Sequence, residues 1–393
     1  MKKIYLDYAS TSPVDKKVLQ EMMPYLKKEF GNPSSLHGFG QRARAGIEKA
    51  REKIAKFLNC TPLEVVFTSG ATEANNLAIQ GVLRNLVSQC LETKFLGGRP
   101  HIITSQIEHE SVLSPCQALE QEGVAEVTYV KPDKEGIVHV EDIEKAIKDN
   151  TVLVSIMYAN SEIGTIQPIV EIGAVAKKHK TLFHVDAVQA AQFLDCDVKK
   201  LGVDLLTLSS HKIYGPKGAG ALYIKEGVML NPLLLGGGQE QGFRSGTENV
   251  ASIVGMGRAI EEIQNPRTAL LNIKIRQLRD KLIKEILRRV EGSSLSGSKQ
   301  KRLPNNVHIR FQGIAGQELA TVLDQKGIAV STGSACSEKT QEPSHVLLAL
   351  GISLEDAMSS LRLTLGKYTT LEEVEKTIRI LVATVAQLRK NLV

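Results

Sequence analysis

The chain predicts an α/β fold, a mostly parallel sheet with helices on both faces, and three observations carry that expectation. Short runs rich in Val, Ile and Leu recur, each leads into a stretch of helical period, and the runs alternate so little with polar residues that both their faces read as covered. In chain order, strands are expected over 64–68, 101–105, 152–158, 182–186, 205–208 and 220–224, and helices over 41–57, 73–89, 111–121 and 141–148. From 248 to 290 the pattern is almost wholly helical and is broken at Asn265-Pro266, since proline cannot continue a helix interior. Beyond it, short strands near 306–311, 328–331 and 361–365 alternate with helices and end in a charged helix over 371–391, the pattern of a smaller α+β region.

At ~150 residues per domain, a chain of 393 residues has room for two or three domains. Lys plus Arg number 49 and Asp plus Glu 43, and a net +6 over this length is too thin an excess to indicate a nucleic-acid partner. The 42% hydrophobic and 23% charged content excludes a disordered or collagenous chain. Five cysteines, Cys60, Cys90, Cys116, Cys196 and Cys336, form no CxxC pair, which argues against a disulfide framework or a cysteine zinc site and for a reducing compartment. The opening MKKIYLDYASTSP has no apolar core of a secretory signal. No run approaches the ~18 apolar residues of a membrane helix, so a soluble, cytoplasmic protein without a membrane partner is expected.

Four segments and one histidine offer chemistry. In VVFTSGATEANN, 65–76, a strand turns through Ser69, Gly70, Ala71 and Thr72 into a helix, where small residues expose N–H groups at a positive helix end, a seat for phosphate. The spacing fits neither GxGxxG nor the P-loop, and a plain turn capped by Thr72 explains the same residues. In LFHVDAVQAA, 182–191, Asp186 stands at the carboxyl end of an apolar run, where open α/β sheets bind ligands. It reads either as a helix N-cap or as the carboxylate that keeps a ring nitrogen protonated.

LTLSSHKIYGPKGAGALYI, 206–224, sets Lys212 between two apolar runs. A lysine on a solvated face is ordinary, whereas one held between buried strands is desolvated and becomes an amine nucleophile. Ser209 and Ser210 offer hydroxyls to a phosphate, and Lys217 reads as an exposed cation. In GIAVSTGSACSEKTQEPSHVL, 327–347, Cys336 lies in a polar, small-residue loop beside Ser334, Ser337, Glu338 and Lys339, so its thiol is accessible; the other four cysteines lie in or beside helical or strand patterns and read as packing residues. His109 follows the run HIITS and is expected at the same edge as Asp186 and Lys212, either as a group that stacks on a cofactor or shuttles protons, or as a polar residue at a helix start. His37, His139, His179 and His308 have no chemical context, and no HxxxH or HExxH pair points to a metal.

Ten motifs converge on one family. They are IYLDYASTSP at 4–13, GNPSSLH at 31–37, FTSGATEANNLAI at 67–79, EHESVL at 108–113, NSEIGTIQPI at 160–169, HVDAVQAA at 184–191, SSHKIYGPKG at 209–218, GGGQEQGFRSGTENV at 236–250, STGSACS at 331–337 and LRLTLG at 361–366. In this order and at these separations they resemble the pyridoxal-phosphate (PLP) enzymes of fold type I and, within their class V branch, the NifS/IscS-like cysteine desulfurases. The resemblance implies a large PLP-binding domain over 15–260 with a mostly parallel seven-stranded sheet, and a smaller α+β domain formed by 1–14 and 261–393 that carries the Cys336 loop.

It also implies roles for individual residues. Lys212 matches the lysine that holds PLP as a Schiff base, Asp186 the partner of the pyridine nitrogen, Gln189 the donor to the phenolic oxygen and His109 the ring stacked on the cofactor. Ala71, Thr72, Ser209 and His211 match the phosphate cup, and Thr247 the residue that reaches the phosphate of the neighbouring subunit, so a homodimer is implied. Asn160 and Arg362 match the residues that hold the substrate carboxylate, a task suited to the fork of an arginine. Cys336 matches the cysteine that takes sulfur from L-cysteine as a persulfide, leaving L-alanine, for delivery to an iron-sulfur scaffold or a tRNA-thiolation enzyme.

The sequence departs from the family in small ways. DYASTSP stands for the commoner DYAATTP, the spacer near 92–100 is long, and the final LRKNLV lacks a tail found in some IscS-type members. The long polar stretch between Cys336 and Pro343 resembles the group whose flexible loop delivers sulfur directly. A selenocysteine lyase or another class V PLP aminotransferase would keep Lys212 and Asp186 without needing Cys336; a non-catalytic sulfur-trafficking scaffold would need none of Lys212, Asp186, His109 and Cys336.

Overall fold

The computed structural model describes residues 3–89, 98–332 and 342–390. After a two-residue strand, β1 (Ile4–Tyr5), come β2 (Val65–Thr68), β3 (His101–Ser105), β4 (Glu126–Val130), β5 (Thr151–Met157), β6 (Leu182–Asp186), β7 (Leu205–Ser209) and β8 (Gly220–Ile224). They are followed by β9 (Ser293–Leu295), β10 (Asn306–Phe311), β11 (Ile328–Ala329) and β12 (Ser360–Thr364). The central sheet has seven strands in the order β2-β8-β7-β6-β5-β3-β4. Every ladder in it is parallel except the two made by β8. The expected mostly parallel α/β sheet is therefore the fold.

Burial explains why the strands read so clearly. All five residues of β3, β7 and β8 are buried, and their neighbours in sequence go to opposite cores. Ile103, Val154, Phe183, Val185, Leu206 and Leu208 join one apolar cluster, while Ile102, Leu153, Leu205 and Leu222 join another across the sheet. The strand that the sequence reading passed over, β4, lies at the sheet margin: four of its five residues are partly or fully exposed, and Glu126-Val127-Thr128 lacks the unbroken apolar character of the inner strands. Helices Lys16–Lys27 and Ile169–Lys178 were also not anticipated. The break at Asn265-Pro266 is real: one helix ends at Ile263, and the next, Pro266–Arg289, starts with proline in its first turn and the Asn265 side chain accepting from Arg267 N.

Outside the central sheet, β9, β10 and β12 form a three-stranded antiparallel sheet and β1 pairs with β11. Ile4 and Leu6 share one apolar cluster with Leu282, Ile309, Phe311, Leu363 and Leu381, so the first residues pack with those from Ile275 onward. No helix among the described residues is long and apolar enough to cross a membrane.

The glycine-rich stretch 236–250 is fastened to the sheet by a buried ion pair. Arg51, on helix Gly38–Leu58, meets Glu240 through two bonds of 2.7 and 2.8 Å, and Glu240 Oε2 also accepts from Phe67 N at 2.8 Å. Removing one member strands the other charge away from water, so Glu240→Ala is expected to cost ~3–5 kcal/mol of unfolding free energy in urea. A loss near zero would show that the pair does not anchor this stretch.

Candidate active site

Because β2 and β7 both run antiparallel to β8, the strands β2, β3, β5, β6 and β7 end on one common edge. The residues just past those ends, Ala71 and Thr72, His109, Asn160, Asp186 and Gln189, and Ser209, His211 and Lys212, line one cavity of about 510 Å³. Arg362 joins them from β12.

Lys212 closes a single helical turn that follows β7, and its Nζ donates to the carbonyls of Ala9 at 2.5 Å and Ser10 at 2.8 Å. Gln189 Nε2 donates to the same Ala9 carbonyl at 3.0 Å. Both acceptors lie some two hundred residues away in sequence, which is why only the flanking strands, and not these partners, could be read in advance.

Asp186 caps a turn and also lines the cavity. Its Oδ1 caps a turn by accepting from Val188 N at 3.0 Å, and its Oδ2 accepts from Asn75 Nδ2 at 2.8 Å. His109 likewise starts helix Glu110–Gln121, its Nδ1 accepting from Ser111 N, while its ring lines the cavity. Burial pushes the pKa of His109 down, Asp186 opposes the shift and Lys212 reinforces it.

At the β2 end, helix Ala71–Gln89 presents its N-terminus to the cavity. A Cβ on Gly220 would lie 2.7 Å from the backbone of Gly70, so only glycine lets these two turns approach. Ser209 Oγ is buried without a hydrogen-bond partner among the described residues. His211, bonded through Nδ1 to Thr11 Oγ1 at 3.1 Å, has its pKa driven down to about 4 by burial, with Lys212 and Lys217 acting in the same direction.

Asn160 and Arg362 meet at the opposite wall. The amide of Asn160 braces its own turn, Oδ1 accepting from Glu162 N and Ile163 N at 2.9 Å and Nδ2 donating to Ile107 O at 2.9 Å. Arg362 donates to Ser161 O at 3.1 Å, Asp7 Oδ1 at 3.0 Å and Ser10 Oγ at 2.7 Å. Thr247 is exposed and does not line the cavity. Cys336 and Cys90 lie outside the described residues. Cys116 and Cys196 are buried and Cys60 partly so, and burial pushes all three thiols up to about 12.

Sequence reasoning missed several cavity residues. Glu73 accepts from Ser69 N at 2.9 Å and pairs with Arg244 at 2.9 Å, which ties the glycine-rich stretch to the turn between β2 and helix Ala71–Gln89. His345 donates from Nε2 to Glu108 O at 2.9 Å. Glu108 itself, wholly buried, accepts from Ser105 Oγ at 2.5 Å and Met157 N at 3.1 Å. Only Glu108 had a local signal, its place beside His109 in EHES. Among the described residues no group of three or more His, Cys, Asp or Glu could hold a metal.

The description "Aminotransferase class-V" matches residues 4–377. The chain belongs to the class-V aminotransferase family. Its relatives include a protein named "Cysteine desulfurase IscS" from Dictyoglomus turgidum, 48% identical over 393 residues that make up 99% of this chain and 96% of that protein. Among solved structures, one named "NIFS-LIKE PROTEIN" superposes with a TM-score of 0.89 at 38% identity, covering 98% of this chain and 99% of its own. Another, "SspA in complex with cysteine", has a TM-score of 0.80 at 38% identity, covering 93% of this chain and 100% of its own. The NifS/IscS-like resemblance read from the motifs holds over the whole chain.

Class-V enzymes of this kind depend on PLP, and the residues present fit that cofactor. The unpartnered Ser209 hydroxyl at a helix N-terminus suits a phosphate oxygen. Asp186 suits a protonated ring nitrogen, and the Lys212 amine is held at the cavity wall by the carbonyls of Ala9 and Ser10.

Burial pushes the Glu108 carboxyl up to about 8 from an ordinary 4.5, its bonds from Ser105 and Met157 pull it down in part, and Asp186 adds to the rise. The folded protein therefore holds this proton between those two values while the unfolded chain has lost it, so stability falls as pH rises through that window. Glu108→Gln removes the effect and should gain on the wild type by up to ~1.4 kcal/mol per pH unit there. Thermal melts that stay parallel across the window would show that Glu108 is ionised in the folded state.

Proposed function

We propose that this protein is a PLP-dependent cysteine desulfurase, converting L-cysteine to L-alanine and passing the sulfur through Cys336. The observation that carries the reading is the meeting of an amine, a carboxylate, a histidine and an arginine, Lys212, Asp186, His109 and Arg362, around one cavity at the carboxyl edge of the sheet. The relatives named as cysteine desulfurases support it. When bound, PLP supplies an electron sink beside the α-carbon of the substrate.

The chain's own groups do the rest. Ala71, Thr72, Ser209 and His211 would hold the phosphate, Asp186 the ring nitrogen, Gln189 the phenolic oxygen and His109 the ring face, with Lys212 holding the cofactor through Nζ. Arg362, braced by Asp7 and Ser161, offers paired N–H groups to the substrate carboxylate beside Asn160. Lys212 Nζ takes and returns the proton at the substrate α-carbon. The Cys336 thiolate then forms a bond to the substrate sulfur as the carbon–sulfur bond breaks; that bond's electron pair stays with the β-carbon, which takes up the proton given up by the substrate thiol, leaving a persulfide on the protein and alanine in the cavity.

The same reading makes the protein a cytoplasmic homodimer in which Thr247 reaches the phosphate of the neighbouring subunit. Its persulfide serves acceptor proteins of iron-sulfur assembly or tRNA thiolation.

Purified protein given PLP, L-cysteine and a thiol reductant is expected to release alanine and sulfide in equal amounts, measured in one assay; failure to form either one overturns the reading. Lys212→Ala should lose the visible absorbance of the bound cofactor. Cys336→Ala should keep that absorbance and its response to L-cysteine yet release no sulfide, and sulfide at the wild-type rate would remove Cys336 from the reaction.

A further inference from the structure

Two of the groups that face the cavity are linked behind it. Asn75 is fully buried, and its Nδ2 donates to Asp186 Oδ2 at 2.8 Å and to Ser111 Oγ at 2.8 Å. An ionised carboxylate only accepts, so turning the amide over would set two oxygens 2.8 Å apart. The amide orientation is therefore forced, and the Oδ1 of Asn75, left without a hydrogen-bond partner among the described residues, is the cost of committing both donors.

Ser111 extends the chain of bonds. Its Oγ accepts from Asn75, so its hydroxyl hydrogen goes to His109 Nδ1 at 2.9 Å, and its backbone N–H donates to the same Nδ1 at 3.1 Å. A backbone N–H cannot accept. His109 Nδ1 is thus an acceptor, and the hydrogen of the neutral ring sits on Nε2. Adding a proton at Nδ1 would set it against a backbone N–H that has no way to turn round. Burial favours the same neutral ring.

We infer that Asn75 and Ser111 are positioning residues that aim the Asp186 carboxylate and lock the neutral His109 ring as the tautomer with its hydrogen on Nε2. Asn75, fully buried, acts through Asp186 and Ser111, while Ser111 lines the cavity beside His109 and braces its ring. Oriented second partners of this kind fix which atom of a histidine carries its hydrogen.

The inference rests on the proposed PLP reading, and its test separates the two. PLP affinity is measured on the full chain by titrating protein fluorescence or cofactor absorbance. Asn75→Leu, close in size and without donors, should bind PLP about tenfold more weakly, because Asp186 loses a buried bond. Ser111→Thr, which keeps the hydroxyl, should bind as the wild type does. Nitrogen-15 spectra of histidine-labelled full-length protein, assigned with His109→Gln, should show His109 as a single Nε2–H tautomer, and Ser111→Ala should move its Nδ1 signal. A wild type that binds no PLP sinks the cofactor reading. A wild type that binds PLP, with Asn75→Leu of equal affinity or with His109 as the Nδ1–H tautomer or imidazolium, overturns the present inference. Should Asn75→Leu not fold, the His109 spectra of wild type and Ser111→Ala decide alone.

Discussion

The carbonyls of Ala9 and Ser10 hold the amine of Lys212, and the geometry of the site depends on that clamp. The segment that supplies them is pinned on its other side, where Ala9 N donates to Thr364 Oγ1 at 2.9 Å and Thr364 N to Leu6 O at 2.7 Å. It is thus a strut between the carboxyl edge of the large sheet and β12. Gln189 shares the Ala9 carbonyl, and Ser12 bonds both the His211 carbonyl and the Tyr214 N–H. Tyr214 itself takes a positive φ of 66°, a conformation that a bulky side chain adopts only under surrounding constraint. The turn that carries Lys212 is therefore set by the start of the chain as much as by β7.

Charge in the cavity is distributed by burial. Burial is the largest cause of the rise in the Glu108 carboxyl's pKa, and the nearby Asp186 adds to it. His109 and His211 are both shifted towards the neutral form. Glu73 is paired with Arg244 and Asp7 with Arg362. Asp186 accepts from two neutral donors, the Asn75 amide and the Val188 N–H.

The parts of the molecule that were legible in the sequence are those with a local cause. β3, β6, β7 and β8 are covered on both faces and so read as unbroken apolar runs, and Lys212, Asp186 and His109 stand directly after such runs, where an α/β sheet exposes its functional edge. β4, half-exposed at the margin, lacked that signature. Asn75 is one polar residue on a helix, and nothing near it in sequence announces a bond to Asp186 across 111 positions. The same holds for the acceptors of Lys212 and for the Arg244 partner of Glu73, whose pairing is a product of the fold.

The strut at the start of the chain also has a meaning for how the protein is made. Arg362 reaches Asp7 and Ser10 across 355 and 352 positions of sequence. A ribosome adding roughly 5–20 residues per second needs about seven to twenty-eight seconds to pass from the last strand of the large sheet to that arginine. During that interval the nascent chain has every strand of the large sheet but not Arg362. On the role proposed for Arg362, the group that receives the substrate carboxylate is among the last pieces to emerge, so an unfinished chain lacks that part of the substrate's seat.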